Sequence, residues 1–228
     1  MRKTQRLAAV GAMAALTVLI GACGSAQEPA TEAEAPAPAS EPAAPTSEGA
    51  APTGTGVTQI SDIFGPACDQ VPAEGEGSAQ GMVDDPVATA ASNNPLLTTL
   101  VQAVTAAKLG DTLNSAPALT VFAPADSAFQ ALETQNPGTI NQLTTAPDVA
   151  QPNSQLTQIL TYHVVGQRYD AAGIVEGGTL DSLQGSKITI GGTAAAPTVN
   201  GAQVLCGNIP TKNATVFVIG QVLSLPAS

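Results

Sequence analysis

The chain has 228 residues, room for one sizeable domain with additional segments rather than two full domains. Seven Lys and Arg stand against 18 Asp and Glu, for a formal charge of −11, and aromatics are only 3% with no Trp. That balance excludes a basic phosphate-binding face and an aromatic platform for bases, so nucleic acid is not a partner. One His and three Cys leave little material for a zinc site or a thiol–imidazole pair.

Residues 1–6 carry three cations (Arg2, Lys3, Arg6) and residues 7–22 are almost wholly apolar. An apolar run of that length falls short of the roughly 20 residues a spanning helix needs. A basic start followed by a short apolar run reads as an export signal over 1–22. It ends in Ile20-Gly21-Ala22-Cys23, which resembles the bacterial lipobox. The resemblance implies cleavage before Cys23 and lipidation of its thiol, and two or more acyl chains hold a protein stably on a membrane. Without the leader, four cations face 18 acidic residues, a charge of −14.

Residues 24–56 contain 10 Ala, 6 Pro and 5 Glu, and no Val, Ile, Leu, aromatic, Lys or Arg. Nothing there offsets the entropy lost on ordering, so residues 23–56 are expected to form a lipidated, disordered tether. At about 3.1 Å per residue it would reach roughly 100 Å when fully extended.

From Val57 the pattern becomes globular. Residues 95–108 predict a helix with an apolar stripe of Leu96, Leu97, Leu100, Val101 and Val104. Asn94 is placed to cap it, Pro95 fits its first turn and Gly110 is placed to stop it. Residues 117–123 predict a strand entering a turn at Pro124, and Asp126 is placed to cap a short helix carrying Phe129 and Leu132. Residues 153–163 predict another helix. Its Leu156, Ile159, Leu160 and His163 fall on one stripe, which points the only histidine at the core.

After Gly166 the pattern predicts strands. Ile188 and Ile190 share a face over 186–191, and Asn200-Gly201 is a type I′ hairpin signal. Residues 214–219 and 221–225 are near-continuous apolar runs ending at Pro226, the pattern of buried strands. Helices early and strands late argue an α+β fold.

Two blocks, Thr120-Val121-Phe122-Ala123-Pro124-Ala125-Asp126-Ser127-Ala128-Phe129 and Leu160-Thr161-Tyr162-His163-Val164-Val165, resemble the signatures of the fasciclin (FAS1) family. Thr215-Val216-Phe217-Val218-Ile219 with Val222-Leu223-Ser224-Leu225-Pro226 resembles its closing block, and residues 89–104 resemble its opening helix. The resemblance covers about 77–226. Gln80-Gly81-Met82, Asp85-Pro86-Val87 and residues 90–95 are similar to the mycobacterial surface-antigen branch of that family. The family implies a β-sandwich or wedge with helices packed at one edge. It also implies adhesion or surface interaction rather than catalysis; the mycobacterial branch implies an immunogenic surface antigen, and the lipobox places it on the outer face of the cell membrane, either retained there or partly shed.

In an exported protein, the two cysteines left after lipidation, Cys68 and Cys206, should pair, with two free thiols as the alternative. In some animal members of the family a Tyr-His pair is associated with integrin binding, so Tyr162 and His163 are candidate recognition residues. The competing reading is that His163 packs the core, its nitrogens bonded inside the domain. No G-x-S-x-G elbow, P-loop, G-x-G-x-x-G, C-x-x-C or H-E-x-x-H motif is present, and neither a catalytic residue, a cofactor nor a metal site is expected. Asp84-Asp85 reads as a solvated turn, since calcium would need more oxygen ligands. The expected function is a lipid-anchored surface module of residues 57–228, binding a cell-wall, extracellular-matrix or host surface protein. The alternative is an envelope carrier or sensor of a small apolar ligand, which requires an apolar cavity larger than a few hundred cubic ångströms.

Overall fold

A computed structural model describes residues 56–226. The expected signal peptide, the lipidation site Cys23 and the tether up to residue 55 lie outside the described residues. Two 3-10 turns, Ile60–Asp62 and Cys68–Gln70, precede a helical half: α1 Ala79–Met82, α2 Val87–Ser92, α3 Thr98–Ala106 and α4 Gly110–Ser115. The strand β1, Leu119–Pro124, is followed by α5 Asp126–Gln135, α6 Thr139–Thr145 and α7 Gln155–Tyr162. The strand half runs β2 Val164–Val165, α8 Ala171–Gly177, β3 Thr179–Asp181, β4 Lys187–Thr193, β5 Ala196–Val199, β6 Ala202–Pro210 and β7 Ala214–Ile219. The α+β order expected from the sequence holds, with one addition. Asp170 accepts a hydrogen bond from the Gly173 N–H and starts α8 in a stretch expected to hold only strands.

The seven strands form one sheet in the order β2-β1-β7-β6-β5-β4-β3, with β1 and β7 parallel and the other pairs antiparallel. Beyond β3, Ser182 bridges back to Val165 of β2, and the Leu183 N–H donates to the Val164 carbonyl. The sheet is therefore nearly closed. Successive side chains of a strand point to opposite faces, and both faces of β1 and β7 are covered. Leu119, Val121 and Ala123 of β1, with Val216 and Val218 of β7, pack against the helices. Phe122, Phe217 and Ile219 of the same strands turn inward onto Ile174, Ile188 and Val199. Burial on both sides explains why these two segments read as unbroken apolar runs. At the β5–β6 hairpin, Asn200 (φ 49°) and Gly201 (φ 82°) both take the positive φ that a type I′ turn requires.

The extension before α1 lies along β6. Phe64 and Gly207 exchange main-chain hydrogen bonds, the Ala67 N–H donates to the Leu205 carbonyl, and Cys68 is disulfide-bonded to Cys206 with Cα atoms 4.9 Å apart. A Cβ on Gly207 would stand 2.6 Å from the Phe64 ring, so only glycine admits this approach. The expected pairing of the two cysteines is present, and it ties the extension to a late strand.

Three local expectations are corrected. The helix expected over 95–108 starts at Thr98 and ends at Ala106. Asn94 accepts from the Leu96 N–H in a turn ahead of it, and Lys108, at φ 55°, makes the left-handed exit while Gly110 begins α4. Asp126 does not cap its own helix. It is the first residue of α5, and its carboxylate accepts from the Thr99 N–H and the Thr98 hydroxyl at the start of α3. The two helix N-termini lie side by side, because the Asp126 N–H also donates to the Leu96 carbonyl. Residues 221–225 are not a ladder strand; the Leu223 N–H ties them to His163 at the end of α7, with Leu223 buried.

Asn213, immediately before β7, is 8% exposed. Its Oδ1 accepts from the Val87 N–H, and its Nδ2 donates to the Leu113 and Ala116 carbonyls. One amide thus joins α2, the end of α4 and the start of β7. Leaving such buried groups unpaired costs about 1–3 kcal/mol each before relaxation. Asn213→Ala is therefore expected to lower stability by about 3 kcal/mol, read from urea denaturation; an unchanged midpoint would remove Asn213 from this role.

Candidate functional site

The α7 helix starts at Ser154, whose side chain accepts from the Thr157 N–H. It ends at Tyr162-His163, whose side chains serve opposite faces of the sheet. Tyr162 is 2% exposed and packs inside the sheet, its hydroxyl donating to the Lys187 carbonyl and accepting from Asn200 Nδ2. It thereby fastens α7 to the tip of the β5–β6 hairpin. His163 is 3% exposed and faces the helices.

The His163 ring is held at both nitrogens. Nδ1 lies 2.7 Å from the Ile159 carbonyl, and the Leu223 N–H lies 2.9 Å from Nε2. A carbonyl can only accept and an amide N–H can only donate, so the ring is neutral, with its proton on Nδ1. Burial lowers its pKa from 6.5 to about 4, against the smaller opposing pull of the Ile159 carbonyl. A second proton would put an N–H on Nε2 facing the Leu223 N–H. In its neutral form, His163 pins the 221–225 segment to the end of α7.

That segment closes one wall of a cavity of about 300 Å³. Leu100 of α3, Phe129 of α5, Leu143 of α6, Ile159 of α7, and Leu223 and Leu225 of the C-terminal segment represent its walls. All four residues of the α7 stripe, Leu156, Ile159, Leu160 and His163, face it. A polar cleft of about 370 Å³ adjoins it and shares Thr139, Leu143, Gln155 and Leu156 with it.

The two candidate recognition residues are thus adjacent in the fold as in the chain, with every polar side-chain atom engaged by the domain itself. The cavity was not located from sequence, although its best-defined wall was: the α7 stripe. Among the described residues no group of three His, Cys, Asp or Glu side chains is placed to hold a metal ion, and no helix is long and apolar enough to cross a membrane. Asp84 is exposed and Asp85 partly so, and the Asp85 carbonyl accepts from the Lys212 N–H.

Comparison with known proteins points one way. The fasciclin domain model matches residues 95–226. The chain is 44% identical over 174 residues to immunogenic protein MPB70 of Mycobacterium bovis, covering 73% of this chain and 84% of that protein. It is 42% identical over 175 residues to cell surface glycolipoprotein MPB83 of the same species, covering 73% of this chain and 74% of that protein. The structure of a FAS1 domain pair from the insect cell adhesion molecule fasciclin I superposes with a TM-score of 0.55 at 19% identity, covering 64% of this chain. The chain spans about half (52%) of that two-domain structure, and the likeness there is one of fold.

Proposed function

The chain belongs to the fasciclin domain family, and from that premise we propose that it is a lipid-anchored protein of the bacterial cell surface whose fasciclin domain mediates adhesion. Its partner is a cell-wall, extracellular-matrix or host surface protein, and it acts there as an immunogenic antigen. The observation that carries this reading is the 42% identity to a cell surface glycolipoprotein over most of both chains. The lipobox-like Ile20-Gly21-Ala22-Cys23 supports the anchor, and the Ala/Pro/Glu-rich stretch after it would hold the domain clear of the membrane. The partner contacts an outer face of the domain, since Tyr162 and His163 are occupied inside it.

Adherence to surfaces coated with individual extracellular-matrix proteins tests this reading. Cells displaying the chain are expected to adhere more than cells lacking it, and the soluble Cys23→Ala chain in excess is expected to compete. Equal adherence with and without the chain, on every such surface, would contradict the adhesive role.

A further inference from the structure

Independently of adhesion, we propose that the cavity between α3, α5, α6, α7 and residues 221–225 binds the hydrocarbon chain of a single-chain neutral amphiphile, whose uncharged hydroxylated head lies in the adjoining polar cleft. The cavity's chemistry sets the first half of this assignment. In a chain of formal charge −11, no ionised side chain among the described residues lines it, and the one titratable group among them, His163, is neutral. Its volume of about 300 Å³ stands at the lower end of the roughly 300–1,000 Å³ of small-molecule sites. The walls are chiefly aliphatic side chains and one phenyl ring. An extended peptide would bring main-chain N–H and C=O groups that such walls leave unpaired, whereas a hydrocarbon chain brings none.

The second half comes from polarity along the site. Cavity and cleft share Thr139, Leu143, Gln155 and Leu156, so apolar lining passes directly into polar lining. That gradient matches an amphiphile. In the cleft, the amides of Gln142 and Gln155 and the Thr139 hydroxyl offer donors and acceptors, and among the described residues the only charged side chain is that of Asp148. A carboxylate there repels an anionic head and leaves a neutral polyol head unopposed.

The site also has a fastening of its own. Leu223 and Leu225 line the cavity, and the Leu223 N–H is held by His163 Nε2. The wall they form is kept in place by a side chain that faces the same cavity.

The test is isothermal titration of the full chain with monodecanoylglycerol below its micellar concentration, alongside decanoate. Two variants change the cavity: Ile159→Trp fills it from a half-buried position, and Leu132→Asp puts a charge in its wall. Circular dichroism and the thermal midpoint confirm that each is folded. Saturable one-to-one binding of monodecanoylglycerol is expected, with decanoate weaker by about tenfold or more. Either folded variant is expected to lose binding by about tenfold or more. Absence of saturable binding to the wild-type chain, or equal binding by both folded variants, would overturn the site. Equal binding of decanoate would overturn the neutral head.

Discussion

Replacing both Cys68 and Cys206 by Ala is expected to lower the free energy of unfolding by up to about 5 kcal/mol, because the bridge closes a loop of 138 residues. The chain-entropy account places this effect in the unfolded state, which the open chain leaves much less restricted. In the folded state the extension keeps its hydrogen bonds to Gly207 and Leu205 and that of Asn208 Nδ2 to the Asp62 carbonyl. The fold therefore survives the double substitution, and the loss appears as a lower urea midpoint. The same shift is expected on reduction of the wild-type protein. Midpoints that coincide with and without reductant would show that the bridge contributes nothing.

The second large effect belongs to His163. His163→Leu leaves the Leu223 N–H without its acceptor in a buried site, whereas the Ile159 carbonyl keeps the main-chain N–H of residue 163. About 1–3 kcal/mol is expected from this unmet donor, with release of the 221–225 segment. The wild-type protein also carries a pH dependence. The native ring stays neutral down to about pH 4, while the unfolded ring takes a proton near 6.5. Between those values the unfolded chain binds the extra proton, so acid favours unfolding. His163's contribution is complete above about pH 6.5 and falls as the pH drops toward 4, by about 1.4 kcal/mol per pH unit at most. His163→Gln, which cannot titrate, is expected to lose this slope. A slope unchanged in that variant would assign it to other groups.

Much of the strand half was legible in the sequence, because its signals are local. The double burial of β1 and β7 writes itself as continuous apolar runs, and Asn200-Gly201 marks its own turn. The inward direction of His163 followed from its stripe. Features joining distant segments were not legible. Asp126 caps a helix that begins 28 residues earlier, and Asn213 bonds groups about 100 residues or more away. No periodicity encodes such partners. Residues 221–225 have the composition of a strand, but a ladder needs a free neighbour. The main-chain donor of Leu223 instead meets an imidazole.

The cavity escaped for a related reason. Leu156, Ile159 and Leu160 mark an apolar side of α7, but a stripe is the same whether the space before it is filled or open. Only the packing distances of α3, α5 and α6 decide that. Tyr162 and His163 show the limit of a motif: their adjacency suggests a joint role, yet the two rings stand nearly perpendicular and serve separate cores.

The anchor at Cys23 is the claim on which the surface role depends, and the intact mass and N-terminal peptide of the protein extracted from its own cell envelope test it most directly. The expected result is a mature chain beginning at Cys23 with a diacylglyceryl group on its sulfur, and loss of the protein from the membrane fraction in Cys23→Ala. A mature envelope protein beginning elsewhere, or carrying an unmodified Cys23, would contradict the account.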